Sequence, residues 1–165
     1  MRRLQVLVLC AIAMLTSCVD DQISAVLASA EKSMDDNPKS SLEALESLDS
    51  QTLKTCKQKA KYALLYSMAL DKNYIDVTND SIIAPAIAYY KNHGSSDDKL
   101  KVNYYWGRIA MNAGEYENAI SRFIIAEQYA DKTSDKIAVG RLYKALLENF
   151  PRLSFSSPLK RKRYQ

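Results

Sequence analysis

The apolar positions between residues 20 and 149 recur with the spacing of an α-helix along almost the whole stretch. In the first segment they fall every three or four residues, which places their side chains on one face of a helix. These positions are Ile23, Val26, Leu27, Ala30 and Met34. The same pattern over the remaining segments predicts an all-α chain with about seven helices.

Start and stop signals separate the first four helices. The segment 35–38 ends the first helix at Pro38, because the residue before a proline is disfavoured in the α region. The second helix carries a leucine stripe, and Thr55 or Thr52 caps the third. After a polar loop over residues 71–79, the fourth helix reaches Tyr90 and contains Pro85, which predicts a kink or a late start.

The last three helices have clearer limits. The fifth is predicted from Ser96 to about residue 113, where Gly114 breaks the helix. The sixth is predicted over residues 115–130. The seventh is predicted to run from Ser134 to about residue 149, because Pro151 follows.

Residues 100–133 also carry a pattern of aromatic, glycine and alanine positions. A large residue precedes a small one in the first helix, a glycine marks the turn, and aromatic and alanine positions alternate in the second helix. These positions are Trp106, Gly107, Gly114, Tyr116, Ala119, Phe123 and Ala126. The pattern resembles a tetratricopeptide (TPR) repeat, a 34-residue helical hairpin. The resemblance implies a TPR-like solenoid of stacked hairpins over residues 18–150.

Within this repeat, Gly107 and Ala119 are expected to let the two helix backbones approach closely. Phe123 is expected to fill the gap against the next hairpin. Gly140 lies 33 residues after Gly107, so the seventh helix resembles the first half of a further repeat whose second helix is missing.

The first 17 residues resemble an export signal. A positive start at Arg2 and Arg3 precedes about eleven mostly apolar residues, which make about 16 Å of helix, too short for a hydrocarbon core of about 30 Å. The stretch Leu15, Thr16, Ser17, Cys18 resembles the bacterial lipobox. That resemblance implies that residues 1–17 are a signal peptide and that Cys18 becomes an acylated N-terminus. It also implies a lipid anchor in the cell envelope, at the outer membrane, with the periplasmic and the surface face both open.

Two alternatives remain open at the leader. It could be an ordinary secretory signal with an incidental cysteine. Asp20 and Asp21 resemble the surface-export signal of Bacteroidetes lipoproteins, but either could instead cap the first helix. Once Cys18 is acylated and the leader is removed, Cys56 is the only thiol, so no internal disulfide is expected.

The positive charge of the chain is concentrated at its ends. The formal net charge is +4, but seven of the 23 basic residues lie in the leader or the last fourteen residues. The rest of the chain contains the remaining 16 basic residues and 19 acidic residues. The body is therefore mildly acidic and indicates no nucleic-acid partner. Residues 151–165 are expected to form a disordered basic tail, with contact to anionic lipid as the alternative.

The sequence predicts no catalytic, cofactor or metal site. His93, the single histidine, precedes Gly94 at a helix end and is expected to cap that end or face solvent. The segment 71–76 begins like a calcium loop but lacks its glycine and closing glutamate. Zinc would require more ligands than Cys56 and His93 supply.

The remaining candidate is a binding face on the fifth helix. One residue of each adjacent aromatic pair is expected in the core and the other near the surface, because neighbours on a helix point about 100° apart. In the TPR family, first-helix side chains line the groove, which here implies Asn103, Tyr104, Tyr105, Arg108 and Asn112. The sequence therefore predicts a non-catalytic scaffold that binds an unidentified protein or peptide. The alternative is a sensory or regulatory fragment of a longer TPR signalling protein.

Overall fold

The computed structural model describes residues 21–156, with side chains described through residue 149. The predicted signal peptide, the lipobox with Cys18, and residues 157–165 of the predicted tail lie outside this range. The described chain contains seven α-helices and no strand, which confirms the all-α prediction. Their bounds are α1 (residues 21–33), α2 (Pro38–Glu46), α3 (Cys56–Lys72), α4 (Ala84–Tyr90), α5 (Ser96–Asn112), α6 (Tyr116–Glu127) and α7 (Lys136–Ser156).

Side-chain caps fix the starts of three helices. Asn37 accepts a hydrogen bond from the Ser40 amide at the start of α2, directly before Pro38. Thr55 and Gln58 form a reciprocal capping box at the start of α3. Ser95 and Asp98 form a second box directly before α5, which begins at Ser96 as predicted. These local interactions satisfy amide groups that have no partner within the helix.

Prolines affect two helices differently. Pro85 lies in the first turn of α4, where its missing N–H costs nothing, so α4 starts late at Ala84. By contrast, the expected end of the seventh helix near residue 149 is wrong, because α7 continues through Pro151 to Ser156. Pro151 leaves the Leu147 carbonyl without its helical donor. Residues 151–156 thus belong to α7.

The helices pack in the order of the chain. From α2 onward each helix contacts the next one, and α3 also contacts α5, as α5 contacts α7. The helix α5 is therefore central, with α3, α4, α6 and α7 around it. One continuous apolar core runs from Ile23 in α1 to Leu146 in α7.

The α5–α6 hairpin contains the residues of the predicted repeat. Gly114 turns the chain with φ of 77°, a value that favours glycine. Ala119, Phe123 and Ala126 are fully buried on α6. A Cβ added to Gly107 would lie 2.6 Å from Cδ1 of Phe123, so the ring of Phe123 occupies the space that Gly107 leaves. Close packing at Gly107 is thus against this ring. Trp106 and Tyr116 are half-buried.

Candidate binding surface

The five residues predicted to line one groove lie on different sides of α5. Tyr104 and Arg108 border a pocket beside α3 and α7. Asn103 borders another pocket, next to α4 and α6, where its amide donates a hydrogen bond to the Lys99 carbonyl at 2.8 Å. Asn112 is half-buried at the last residue of the helix. The prediction of one shared face is therefore wrong for Asn103, because it lies about 100° or more around the helix from the others.

The two tyrosines of the predicted groove belong to the core. Tyr104 is 8% exposed and Tyr105 is 3% exposed, and their rings meet edge to face at 4.9 Å. The expectation that one of the pair lies near the surface is wrong. Since α5 is surrounded by four other helices, two neighbouring directions on it are both covered.

A set of five charged residues joins the ends of α1 and α3 to α5 and α7. We call Asp35, Asp71, Lys72, Arg108 and Arg141 the charge cluster. Asp35 Oδ1 accepts hydrogen bonds from Lys72 Nζ at 2.6 Å and from Arg141 Nη2 at 2.9 Å. Arg108 Nε donates to Asp71 Oδ1 at 2.8 Å. The cluster therefore connects residues up to 106 positions apart in the sequence.

The ion pairs shift the ionisation of the groups they join. The hydrogen bond from Lys72, and then that from Arg141, holds the pKa of Asp35 below its ordinary value, although partial burial opposes the shift. Burial acts against the charged form of Arg108, but its pKa is raised because Asp71 lies beside it. Burial raises the pKa of Tyr104 and of Tyr105. At neutral pH Asp35 and Arg108 are therefore charged, and the phenols of Tyr104 and Tyr105 are neutral.

A pocket of about 330 Å³ opens beside the charge cluster. Four of the cluster residues line it, together with Tyr74, Tyr104, Lys144, Ala145 and Glu148. Tyr74 is 94% exposed and adopts φ of 60°, the one non-glycine residue of the described chain with a positive φ. An L-residue pays about 1–2 kcal/mol for that left-handed conformation. The rim of the pocket thus presents an exposed aromatic ring at a strained backbone position.

The structure also describes His93 and Cys56, which the sequence offered as candidate metal ligands. His93 is exposed, and its Nδ1 lies 2.9 Å from the Tyr89 carbonyl at the end of α4. Cys56 is exposed at the first position of α3. Among the described side chains, no group of three or more His, Cys, Asp or Glu residues is arranged to hold a metal ion.

Within residues 21–156, no helix combines the length and apolar character needed to cross a membrane.

Comparison of the chain with models of protein families, with curated proteins and with solved structures gives no match.

Sequence reasoning missed most of the charge cluster. It selected Arg108 but not Asp35, Asp71, Lys72 or Arg141, which come from three other helices or their ends. The available signal was weak, because single charged residues near helix ends are ordinary features of a solvated surface. The cluster residues differ from other surface charges only because the folded chain brings them together.

Proposed function

We propose that this protein is a lipid-anchored envelope lipoprotein whose helical body is a TPR-like solenoid that binds an extended protein or peptide without catalysis. The binding surface is the pocket beside the charge cluster, where side chains of α3, α5 and α7 meet. It replaces the groove expected on α5 alone, keeping Tyr104 and Arg108 and leaving out Asn103.

The order of helix packing supports the solenoid part of the proposal. In a repeat protein each hairpin contacts mainly its neighbours in sequence; the ion pair of Asp35 with Arg141, 106 residues apart, departs from that order here. The α3–α4 and α5–α6 hairpins meet through α3 with α5 and α4 with α5. The next contacts are made by α7, through α5 and α6. Helices α3, α5 and α7 supply most of the side chains that line the pocket beside the charge cluster.

The single observation that carries the binding proposal is Tyr74. Its ring gains almost nothing from the fold, since it is 94% exposed, and its backbone is strained at φ of 60°. Glycine at this position would relieve the strain. The left-handed conformation of Tyr74 closes the end of α3, where the Ile75 amide donates to the Leu70 carbonyl at 3.0 Å and the Tyr74 amide donates to the Asp71 carbonyl at 3.1 Å. The proposal therefore rests on the exposed ring, because a tyrosine combines a large apolar ring with a polar hydroxyl and is suited to a protein interface.

A pull-down from envelope extracts tests this surface with two variants. Tyr74→Gly removes the ring while relieving backbone strain. Lys144→Glu reverses an exposed charge whose nearest carboxylate, on Glu148, is 3.9 Å away. We expect both variants to recover markedly less of the partner that wild type recovers. Lys57→Glu, an exposed residue on α3 outside this pocket, is the matched control and should behave like wild type.

Partner recovery at the wild-type level by Tyr74→Gly and Lys144→Glu, with unchanged circular dichroism, would move the binding site away from this pocket. Loss of recovery in the Lys57→Glu control as well would indicate binding by overall charge. Neither outcome would affect the helical architecture.

The lipid anchor needs a separate experiment because Cys18 lies outside the described residues. Cells supplied with a clickable fatty acid should label the wild-type chain and not Cys18→Ala. Equal labelling of the two proteins would exclude acylation at Cys18 and, with it, the lipobox interpretation.

A second candidate function is supported by the outer face of α7. Ile137, Tyr143 and Leu147 are exposed there, and no described residue lies within 4 Å of a Cβ added to Gly140. In the α5–α6 hairpin the equivalent glycine, Gly107, receives the ring of Phe123. A further helix could cover α7 in the same way if the chain is a sensory or regulatory part of a longer TPR protein. An immunoblot of the native protein at a mass well above 18.6 kDa would support this candidate.

A further inference from the structure

A second pocket of about 330 Å³ lies between α4 and α6, with α5 as its floor. On α5 it is bordered by Lys99, Val102, Asn103 and Trp106. These residues lie on the opposite side of the helix from Tyr104 and Arg108, given 100° per residue. The pocket is therefore separate from the charge cluster, and its volume is within the range of small-molecule sites, about 300–1,000 Å³.

The inner wall of this pocket is apolar and aromatic. Ile87 of α4, Val102 and Trp106 of α5, and Ile125 of α6 line it. Trp106 is only half-buried, so part of its ring faces the pocket. A site with this wall favours a ligand with an apolar or aromatic body, because burial of that body removes apolar surface from water.

Three cations border the same space. Arg122 stacks on Trp106, with its Cζ 3.4 Å from the ring centroid, and Lys99 Nζ lies 6.0 Å from the centroid of the Tyr129 ring. Lys91 is the third. No Asp or Glu lines the pocket, and none of the three cations takes part in an ion pair among the residues that the structure describes.

Arg122 and Lys99 contrast with the other half-buried cations among the described residues. Each of those contacts a carboxylate within 3 Å: Lys61, Lys72, Lys101, Arg108 and Arg141. Burial lowers the pKa of Arg122, and no neighbouring carboxylate opposes that shift. The fold therefore holds a half-buried guanidinium on an aromatic ring without supplying an anion for it.

We propose that this pocket binds a small amphipathic carboxylate. Its anionic head would lie among Arg122, Lys99 and Lys91, and its apolar or aromatic body would lie against Trp106 and Ile125. A guanidinium can donate two parallel hydrogen bonds to one carboxylate, which fixes the orientation of the head. This activity is distinct from the proposed peptide binding, which uses the opposite side of α5.

Trp106 provides a direct reporter because it is the only tryptophan of the chain. Its fluorescence can be followed while the purified protein is titrated with 3-phenylpropionate, which has both a carboxylate and an aromatic body. We expect a saturable change. The neutral amide of the same shape, 3-phenylpropanamide, and acetate, which has the charge without the body, should each give little change.

Two variants then test whether the positive charge that binds the carboxylate belongs to this pocket. Arg122→Gln keeps a polar side chain but removes the charge, and we expect it to weaken 3-phenylpropionate binding about tenfold. Lys57→Gln removes one positive charge from an exposed position outside the pocket and should bind like wild type. Circular dichroism and a thermal melt check that each variant is folded.

Three results would overturn the proposal. One is the absence of a saturable change with 3-phenylpropionate at millimolar concentration. Another is equal binding of the amide, which would make the pocket apolar without anion selectivity. The third is unchanged affinity in folded Arg122→Gln, which would place the anion elsewhere.

Discussion

Replacement of Gly107 by alanine should destabilise the protein, although the same change stabilises most helices. Gly107 lies inside α5, and an added Cβ would come within 2.6 Å of Cδ1 of Phe123. Phe123 is fully buried, so its ring cannot swing into solvent to make room. The hairpin must therefore open or the ring must leave its preferred rotamer.

The magnitude follows from two opposing terms. Alanine is favoured over glycine by about 1 kcal/mol inside a helix. Overpacking a buried site costs about 1–3 kcal/mol, and the contact here is at the upper end because both partners are fixed in the α5–α6 hairpin. We expect a net loss of about 1–2 kcal/mol in the free energy of unfolding.

A double-mutant cycle with Phe123→Ala isolates this contact. Phe123→Ala alone should cost about 3–5 kcal/mol, because it leaves a cavity in the core. In that background the clash is gone, so Gly107→Ala should stabilise by up to about 1 kcal/mol. The effect of Gly107→Ala thus changes sign, and the coupling energy is about 2–3 kcal/mol. Urea unfolding followed by circular dichroism measures all four proteins.

Gly140→Ala is the matched control. Gly140 also lies inside a helix, α7, but within the described part of the chain no atom is within 4 Å of its added Cβ. Alanine should stabilise there by about 0.5–1 kcal/mol through helix propensity alone. If Gly107→Ala stabilised the wild-type background as much as Gly140→Ala does, the close approach of Phe123 to α5 would be refuted.

Two further predictions concern the surface beside α3. Tyr74→Gly should raise the free energy of unfolding by about 0.5–1 kcal/mol, measured by urea unfolding. The change removes the strain of a left-handed L-residue but adds backbone freedom to the unfolded chain. Tyr74→Ala keeps the strain, so it should not raise the free energy of unfolding in the same assay. Asp35→Asn should lower stability at neutral pH, because Lys72 and Arg141 lose their carboxylate. The pKa of Asp35 is lowered in the folded state, so its contribution is complete above the ordinary value of 3.8 and is lost as the pH falls from there through the folded-state pKa. The stability difference between wild type and Asp35→Asn in acid unfolding curves should therefore shrink below about pH 4; a difference that persisted unchanged at pH 2 would argue against the ion pairs of Asp35.

Local chemistry made much of the fold predictable. The apolar stripe of α1, the Thr55 cap, the late start at Pro85 and the turn at Gly114 all depend on residues close together in sequence. Such signals act through a few neighbouring backbone groups, so they can be recognised in the sequence without the tertiary structure. The burial of Phe123 was also predictable, because its spacing from Ala119 and Ala126 places all three on one face.

The candidate site was predictable only in part. Helical spacing could not tell that both Tyr104 and Tyr105 are covered, because that depends on how many helices surround α5. Nor could it place Arg141 beside Asp35, 106 residues away. Pro151 was a misleading signal, since a proline disfavours a helix around it but does not prevent α7 from continuing to Ser156.

The sequence by itself determined that most of residues 21–149 form helices, where most of these helices begin, and which side of α6 is buried, because periodicity and capping act over one or two turns. Only the tertiary structure decided which charges pair, which aromatic rings remain accessible, and that α5 has a pocket on each of two opposite sides. These properties depend on the distances between helices that are far apart in the chain. Such distances are set by the packing of the whole core.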